Sequence, residues 1–152
     1  MKGAKPPRPT RAQGATIEEA SAELNARCNA IEESYEFMLA YASQGLPSEE
    51  GSVSGGQIRE YLRRCDAALT GLAKFLTSFV ARLGAKPAPS YGDFLGVLDR
   101  DARDAQATLR LALAQPSISS QLIDNLNASI HLRALLTDLF LIDEILKAHR
   151  RS

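Results

Sequence analysis

The sequence predicts an all-α protein, an antiparallel up-down-up-down four-helix bundle with long helices, and two observations support this fold class. First, apolar residues recur between residues 58 and 83 with a strict heptad spacing, which is typical of a long helix packed against other helices. These residues are Ile58, Leu62, Cys65, Leu69, Leu72, Leu76, Phe79 and Leu83. Second, residues that favour helix starts and helix ends divide the chain into four segments.

Length and charge limit the classes of function. A chain of 152 residues is the size of one domain. Its 18 Lys and Arg residues balance its 18 Asp and Glu residues, which argues against a nucleic-acid or anionic-membrane partner because both favour a basic surplus. No apolar stretch reaches the ~20 residues that cross a membrane, and no secretory signal is evident. We therefore expect a cytoplasmic protein without a cofactor.

Residues 1–13 differ in composition from the remainder. They contain Pro6, Pro7 and Pro9, which cannot continue a helix, and four basic residues without an acid. We predict a disordered basic tail over 1–13 and the bundle domain over 14–152.

The first predicted helix has clear ends. Thr16 and Glu19 form a capping box, and Gly45 with Pro47 ends the helix. The apolar stripe predicted to face the core is Ile17, Leu24, Cys28, Ile31, Tyr35, Met38 and Ala42.

The second and third helices follow the same logic. A capping box opens the second helix and a glycine ends it, while a serine and an aspartate open the third helix and a proline ends it. These residues are Ser54 with Gln57, Gly84, Ser90 with Asp93, and Pro116. The core stripe of the third helix is Tyr91, Leu95, Leu98, Ala102, Ala105, Leu109 and Ala112.

The fourth helix is predicted to begin at a cap among Ser117, Ser119 and Ser120 and to reach about Arg150. It carries two apolar stripes, whereas a bundle member needs one. Either a kink near Ile130 moves the core contact from one face to the other, or a partner covers the second stripe; we favour the partner. With two residues on the back of the first helix, the predicted interface is Phe37, Tyr41, Ile123, Leu126, Ile130, Ala134, Leu141 and Ile145.

Polar residues of the fourth helix form a second candidate site. Asp124, His131 and Asp138 recur every seven residues, and Asp143 falls within the inward stripe. Neither histidine has a glutamate three residues before it, so the di-metal motif of helical bundles is missing and we predict no metal site. No catalytic residues can be assembled from the spacing.

These observations predict a non-enzymatic helical protein-interaction module, such as an adaptor, a chaperone-like protein or a regulatory subunit. We expect the second face of the fourth helix to mediate association, most simply as a homodimer. The alternative is a bundle that binds a small apolar molecule or cofactor between helices, near Tyr35, Phe79 and Asp143.

Overall fold

The computed structural model describes Gly3 and residues 16–151, and it confirms the all-α prediction. The described residues form six helices: α1 (Ile17–Ser43), α2 (Ile58–Leu69), α3 (Leu72–Leu83), α4 (Ala88–Leu113), α5 (Ser120–Asn127) and α6 (Ile130–Arg151). The tail predicted over residues 1–13 lies outside the described residues, apart from Gly3.

Helix α1 begins and ends as its sequence predicts. The Thr16 hydroxyl accepts a hydrogen bond of 3.0 Å from the Glu19 amide, and Gly45 follows the helix with a φ of +64°. The buried face differs in part from the predicted stripe, because Ile17 is exposed and Tyr35 and Ala42 are only half-buried. The buried residues are Ala20, Leu24, Cys28, Ile31, Ser34, Met38 and Tyr41.

The predicted second helix is two helices, α2 and α3, separated at Thr70 and Gly71. Thr70 is extended and Gly71 has a φ of +70°, a conformation that glycine adopts without a Cβ penalty. Helix α2 starts at Ile58 without a side-chain cap, so the capping box predicted at Ser54 and Gln57 does not form. Ser54 instead donates its hydroxyl hydrogen bond to the Gln44 side chain.

Side chains from two other helices satisfy polar groups at this break. Arg27 of α1 donates to the carbonyl oxygens of Ala68 and Thr70, at 2.9 and 2.8 Å. Gln106 of α4 donates to the Asp66 carbonyl oxygen and to the Thr70 hydroxyl. Because partners replace the lost intrahelical bonds, the chain can change direction without leaving buried carbonyls unpaired.

Helix α4 starts before Ser90 and Asp93, the residues predicted to open it. It begins at Ala88, directly after Pro87, whose peptide bond with Lys86 is cis. Its predicted core stripe is buried from Leu95 onward.

The predicted fourth helix also consists of two helices. Ser119 caps α5 by accepting from the Leu122 amide, as predicted, but the helix stops at Asn127 and α6 starts at Ile130. The side-chain amide of Asn127 donates a hydrogen bond of 3.1 Å to the Met38 carbonyl oxygen and links the break to α1. The break near Ile130, the alternative to a covering partner, is therefore present.

Packing joins these helices around one core. Helix α1 packs against α2 and α5, and α4 packs against α6, α3 and α2. Leu24, Leu62, Leu98 and Leu135 are among the fully buried side chains. Within the described residues, no helix is both long enough and apolar enough to cross a membrane.

Candidate functional site at the α4–α6 seam

Helices α4 and α6 pack against each other, and polar side chains bridge them along one line. At one end the Tyr91 hydroxyl lies 2.9 Å from Nε2 of His149, and at the other end Asp104 lies near His131. Four residues of this line, Asp101, Asp104, His131 and Asp138, are called the seam.

A hydrogen bond to Asp101 on α4 is one of the causes that raise the pKa of Asp138 on α6. Two ionised carboxylates are both acceptors, so this bond requires a proton on one of them. Burial, and then the hydrogen bond and the charge of Asp101, raise the pKa of Asp138 to about 7. One oxygen of Asp138, Oδ2, is buried and accepts no hydrogen bond from a donor among the described residues. The pair is therefore built to keep a proton that ordinary aspartates release.

A second contact of the seam also depends on a proton. Oδ2 of Asp104 lies 3.9 Å from Nδ1 of His131, with both side chains about half-exposed. The two groups form an ion pair only when the imidazole is protonated. Both polar contacts of the seam therefore require a bound proton.

Apolar residues remain on the surface beside the seam. Leu141 is 51% exposed and Ile145 is 36% exposed on α6, and Val97 is 39% exposed on α4. Val97 lies one turn before Asp101, and Leu141 lies one turn after Asp138, so both flank the acid pair. We call Val97, Ile130, Ala134, Leu141 and Ile145 the apolar strip; Ile130 is 74% exposed and Ala134 is half-buried.

In the other half of the predicted interface, three residues are buried inside the chain and Phe37 is half-buried against α2, so that part of the prediction is wrong. Phe37 stacks on Tyr61 of α2 with ring centroids 4.1 Å apart. Tyr41 is 0% exposed and donates its hydroxyl hydrogen bond to the Ile118 carbonyl oxygen at 2.6 Å. Ile123 and Leu126 are buried in the core. The break between α5 and α6 explains why Ile123 and Leu126 are buried. The second apolar stripe faces the core along α5 and faces the surface along α6.

The predicted polar residues do not form one site either. Asp124 is exposed on α5, and the break separates it from His131 and Asp138. Asp143 is half-buried and pairs with Lys147 on its own helix at 3.0 Å. The structure thus retains His131 and Asp138 in the seam and excludes Asp124 from it.

The sequence reasoning missed Asp101 and Asp104. They are three residues apart on α4 and lie next to the core positions Leu98 and Ala105. This spacing places both acids on one edge of the buried face. That edge could have been identified from the helical wheel, but which helix packs against it depends on the tertiary fold.

A contrasting polar cluster lies at one end of the molecule. Arg59 donates to both carboxylate oxygens of Glu49, at 2.7 and 2.8 Å. It also donates to the carbonyl oxygens of Leu113 and Gln115, while Glu49 accepts from the Ile118 amide. We call the Glu49–Arg59 pair the clamp, because it ties the loop before α2 to the connection between α4 and α5.

A groove between α1 and α3 has a volume of about 640 Å³. Glu19, Glu23 and Arg27 line one wall, and Phe75 and Phe79 line the other. Of the three residues predicted to surround a ligand, only Phe79 borders this groove; Tyr35 and Asp143 do not.

The described part of the chain has no cluster of three or more His, Cys, Asp or Glu side chains suited to a metal ion. Both cysteines, Cys28 and Cys65, are buried. Comparison with protein-family models, with curated proteins and with solved structures gives no match.

Proposed function

We propose that this chain is a non-enzymatic cytoplasmic interaction module that associates with a second copy of itself through the apolar strip. We also propose that its six helices act as four antiparallel rods of a bundle, with α2 and α3 as one rod and α5 and α6 as another. The exposure of Leu141 and Ile145 beside Val97 is the observation that carries the proposal.

Contiguous exposed apolar residues on neighbouring helices are characteristic of contact surfaces. Single exposed leucines are common on soluble proteins and need no explanation. The apolar strip is different because its α6 residues share one helical face and Val97 is exposed on α4, the helix that packs against α6. Association would remove these side chains from water.

The size of the strip predicts weak association. From Ile130 to Ile145 it extends about 22 Å, at 1.5 Å per residue. Neighbouring helix axes are ~8–10 Å apart, so α4 and α6 together present a face of roughly 400 Å². Stable interfaces bury about 800 Å² on each partner. We therefore expect a Kd on the order of tens to hundreds of micromolar.

We propose a second copy as the partner because a two-fold contact uses the same surface on both molecules and needs no other protein. The chain has 18 basic and 18 acidic residues, so two copies have no net charge repulsion to overcome. In such a contact the strip of one copy faces the strip of the other.

Light scattering coupled to size exclusion tests this proposal with two matched variants. Wild type should show a concentration-dependent rise toward twice the monomer mass above ~100 µM. Leu141→Asp places a charge in the strip and should raise Kd at least about tenfold. Leu39→Asp changes a leucine of similar exposure on α1 and should leave Kd within about twofold. A wild type that stays monomeric at ~500 µM, or equal weakening by both variants, would overturn the proposal.

The groove between α1 and α3 favours a second candidate function, the binding of a small apolar ligand. Its volume of about 640 Å³ falls within the range of known ligand sites, and the half-buried ring of Phe75 provides aromatic surface. Native mass spectrometry of the purified protein separates the two candidates. A retained small molecule lost in Phe75→Ala supports ligand binding, whereas a dimer peak lost in Leu141→Asp supports association.

A further inference from the structure

We propose that the groove between α1 and α3 binds a free, single-chain amphipathic carboxylate, such as a medium-chain fatty acid. The carboxylate group lies beside Arg27 and Lys74, and the apolar chain lies along Phe75. The proposal rests on the second candidate function, ligand binding in this groove, and is independent of self-association.

The break between α2 and α3 produces the groove. Helix α1 packs closely along α2, whereas its contact with α3 is slight, because the chain changes direction at Thr70 and Gly71. Gly71, with its φ of +70°, lines the groove. Arg27 of α1 holds the Thr70 carbonyl oxygen at 2.8 Å and so fixes the position of α1 relative to the break. The groove is therefore a built part of the fold.

The middle of the groove presents apolar surface. The Phe75 ring is half-buried, and it stacks on the buried ring of Phe79 with ring centroids 6.0 Å apart. Ala20 of α1 is a small residue in the lining opposite these rings and leaves room between the two helices. A ligand that covers the remaining surface of Phe75 removes apolar area from water, and this favours binding.

The dimensions of the groove fit a chain of about ten carbons. Its lining residues extend from Glu19 to Arg27 on α1 and from Gly71 to Arg82 on α3, about 12 and 17 Å at 1.5 Å per residue. A fully extended carbon chain with bonds of about 1.5 Å advances ~1.25 Å per carbon, so ten carbons extend ~12 Å. Such a chain lies along the groove without leaving it.

Positive charge is concentrated at the end of the groove next to the break. The Arg27 guanidinium lies 5.4 Å from the centroid of the Phe75 ring, and its hydrogen bonds to Ala68 and Thr70 fix it there. Lys74, in the first turn of α3, is exposed and forms no ion pair within the described part of the chain. That turn also contains no acidic residue. An anionic group at this end therefore meets attraction from both walls.

Two acids also line the groove, and they determine which way the ligand lies. Glu23 accepts hydrogen bonds of 3.2 and 3.3 Å from Arg27, so its charge is already offset. Glu19 lies two turns before Arg27 on α1, about 12 Å from the break end. A carboxylate is therefore favoured at the break end, and the apolar chain extends away from it toward Ala20.

NMR titration of the isotope-labelled full chain tests the proposal with three probes of equal length. Decanoate carries a negative charge, decanol none and decylammonium a positive charge. We expect decanoate to shift the amide signals of Gly71, Lys74 and Ser78 with a Kd on the order of 100 µM. Decylammonium should bind at least about tenfold more weakly, because its charge is repelled at the break end.

Matched variants separate the charge from the groove. Lys74→Gln removes one cation and should weaken decanoate about fivefold, while decanol stays within about twofold. Lys86→Gln removes an exposed lysine outside the groove and should leave the Kd of both probes within about twofold. Ser78→Trp fills the groove from an exposed position and should abolish the binding of all three probes.

The outcomes distinguish this proposal from the second candidate function. Equal binding of all three probes in the groove, or equal weakening by Lys74→Gln and Lys86→Gln, overturns the carboxylate and leaves an apolar ligand site. Tighter binding of decylammonium overturns the carboxylate in favour of a cationic occupant. No shift at the groove with any probe up to ~1 mM overturns ligand binding altogether.

Discussion

Two acidic groups of this protein meet opposite kinds of partner. Glu49 of the clamp is bound by the guanidinium of Arg59, at 2.7 and 2.8 Å, and by the Ile118 amide. Asp138 of the seam is bound by another carboxyl group, and one of its oxygens lacks a partner among the described residues. The clamp joins connections, whereas the seam joins two long helices beside exposed apolar residues. The fold therefore combines a polar contact between opposite charges with a polar contact between two acids.

The two contacts should respond to pH in opposite directions. The hydrogen bond from Arg59 is the main cause that lowers the pKa of Glu49. A carboxyl group with a lowered pKa stabilises the fold at pH values above its pKa in the unfolded chain. This stabilisation is lost as the pH falls. Burial is the main cause that raises the pKa of Asp138, so its contribution is lost as the pH rises. Acid therefore weakens the clamp and strengthens the seam.

The largest effect should follow from breaking the clamp. Arg59→Met removes the donor to Glu49 and to the carbonyl oxygens of Leu113 and Gln115, and leaves these acceptors without it. We expect the free energy of unfolding to fall by about 2–3 kcal/mol, measured by urea denaturation at pH 7. Arg64→Met is the control, because its bond with Glu60 is an exposed pair on one helix and should contribute under ~0.5 kcal/mol. Similar losses in both variants would show that the clamp has no special role.

A smaller effect is expected from the buried hydroxyl near the clamp. Tyr41→Phe removes a donor that lies 2.6 Å from the Ile118 carbonyl oxygen, in the same connection that Glu49 contacts. The free energy of unfolding should fall by about 1–2 kcal/mol in thermal or urea denaturation. Tyr35→Phe, on the same helix and half-buried, should change it by less than ~0.5 kcal/mol. An unchanged free energy of unfolding in Tyr41→Phe would mean that this hydrogen bond does not stabilise the connection between α4 and α5.

The smallest effect should be a gain in stability at the seam. Asp101→Asn replaces one carboxyl by an amide that can donate to Asp138 without a shared proton. We expect up to about 1 kcal/mol of added stability at pH 8, discounted for solvent exposure, and almost none at pH 5. Urea denaturation at the two pH values measures the difference, with the exposed Asp124→Asn as the control. A lower stability of Asp101→Asn than of wild type at pH 8 would contradict the expected difference in pH response between seam and clamp.

The sequence predicts the parts of this fold that depend on local chemistry. Thr16 and Ser119 cap their helices, and Gly84 ends α3, as the residues indicate, because capping and positive φ depend on short-range contacts. The heptad positions from Ile58 to Phe79 are also buried as expected. These features need no contact between distant parts of the chain, so local patterns predict them.

The two helix breaks were harder to predict because the apolar pattern continues across them. Leu69 and Leu72 keep the heptad spacing on either side of Gly71, so periodicity alone predicts one helix. The break depends on Arg27 and Gln106, which lie distant in sequence and satisfy the polar groups there. The seam was missed for the same kind of reason. Asp101 matters only because α6 places Asp138 against it.

Cys65 has a consequence for experiments on opening of the core. This buried thiol lies in α2, next to Asp66, and burial raises its pKa to about 12. The thiolate is the species that reacts with maleimides, so alkylation in the native state requires α2 to separate from its neighbours first. The rate of that reaction therefore measures how often the middle of the molecule opens. The protein thus contains its own chemical probe of internal motion, on the timescale of the labelling reaction.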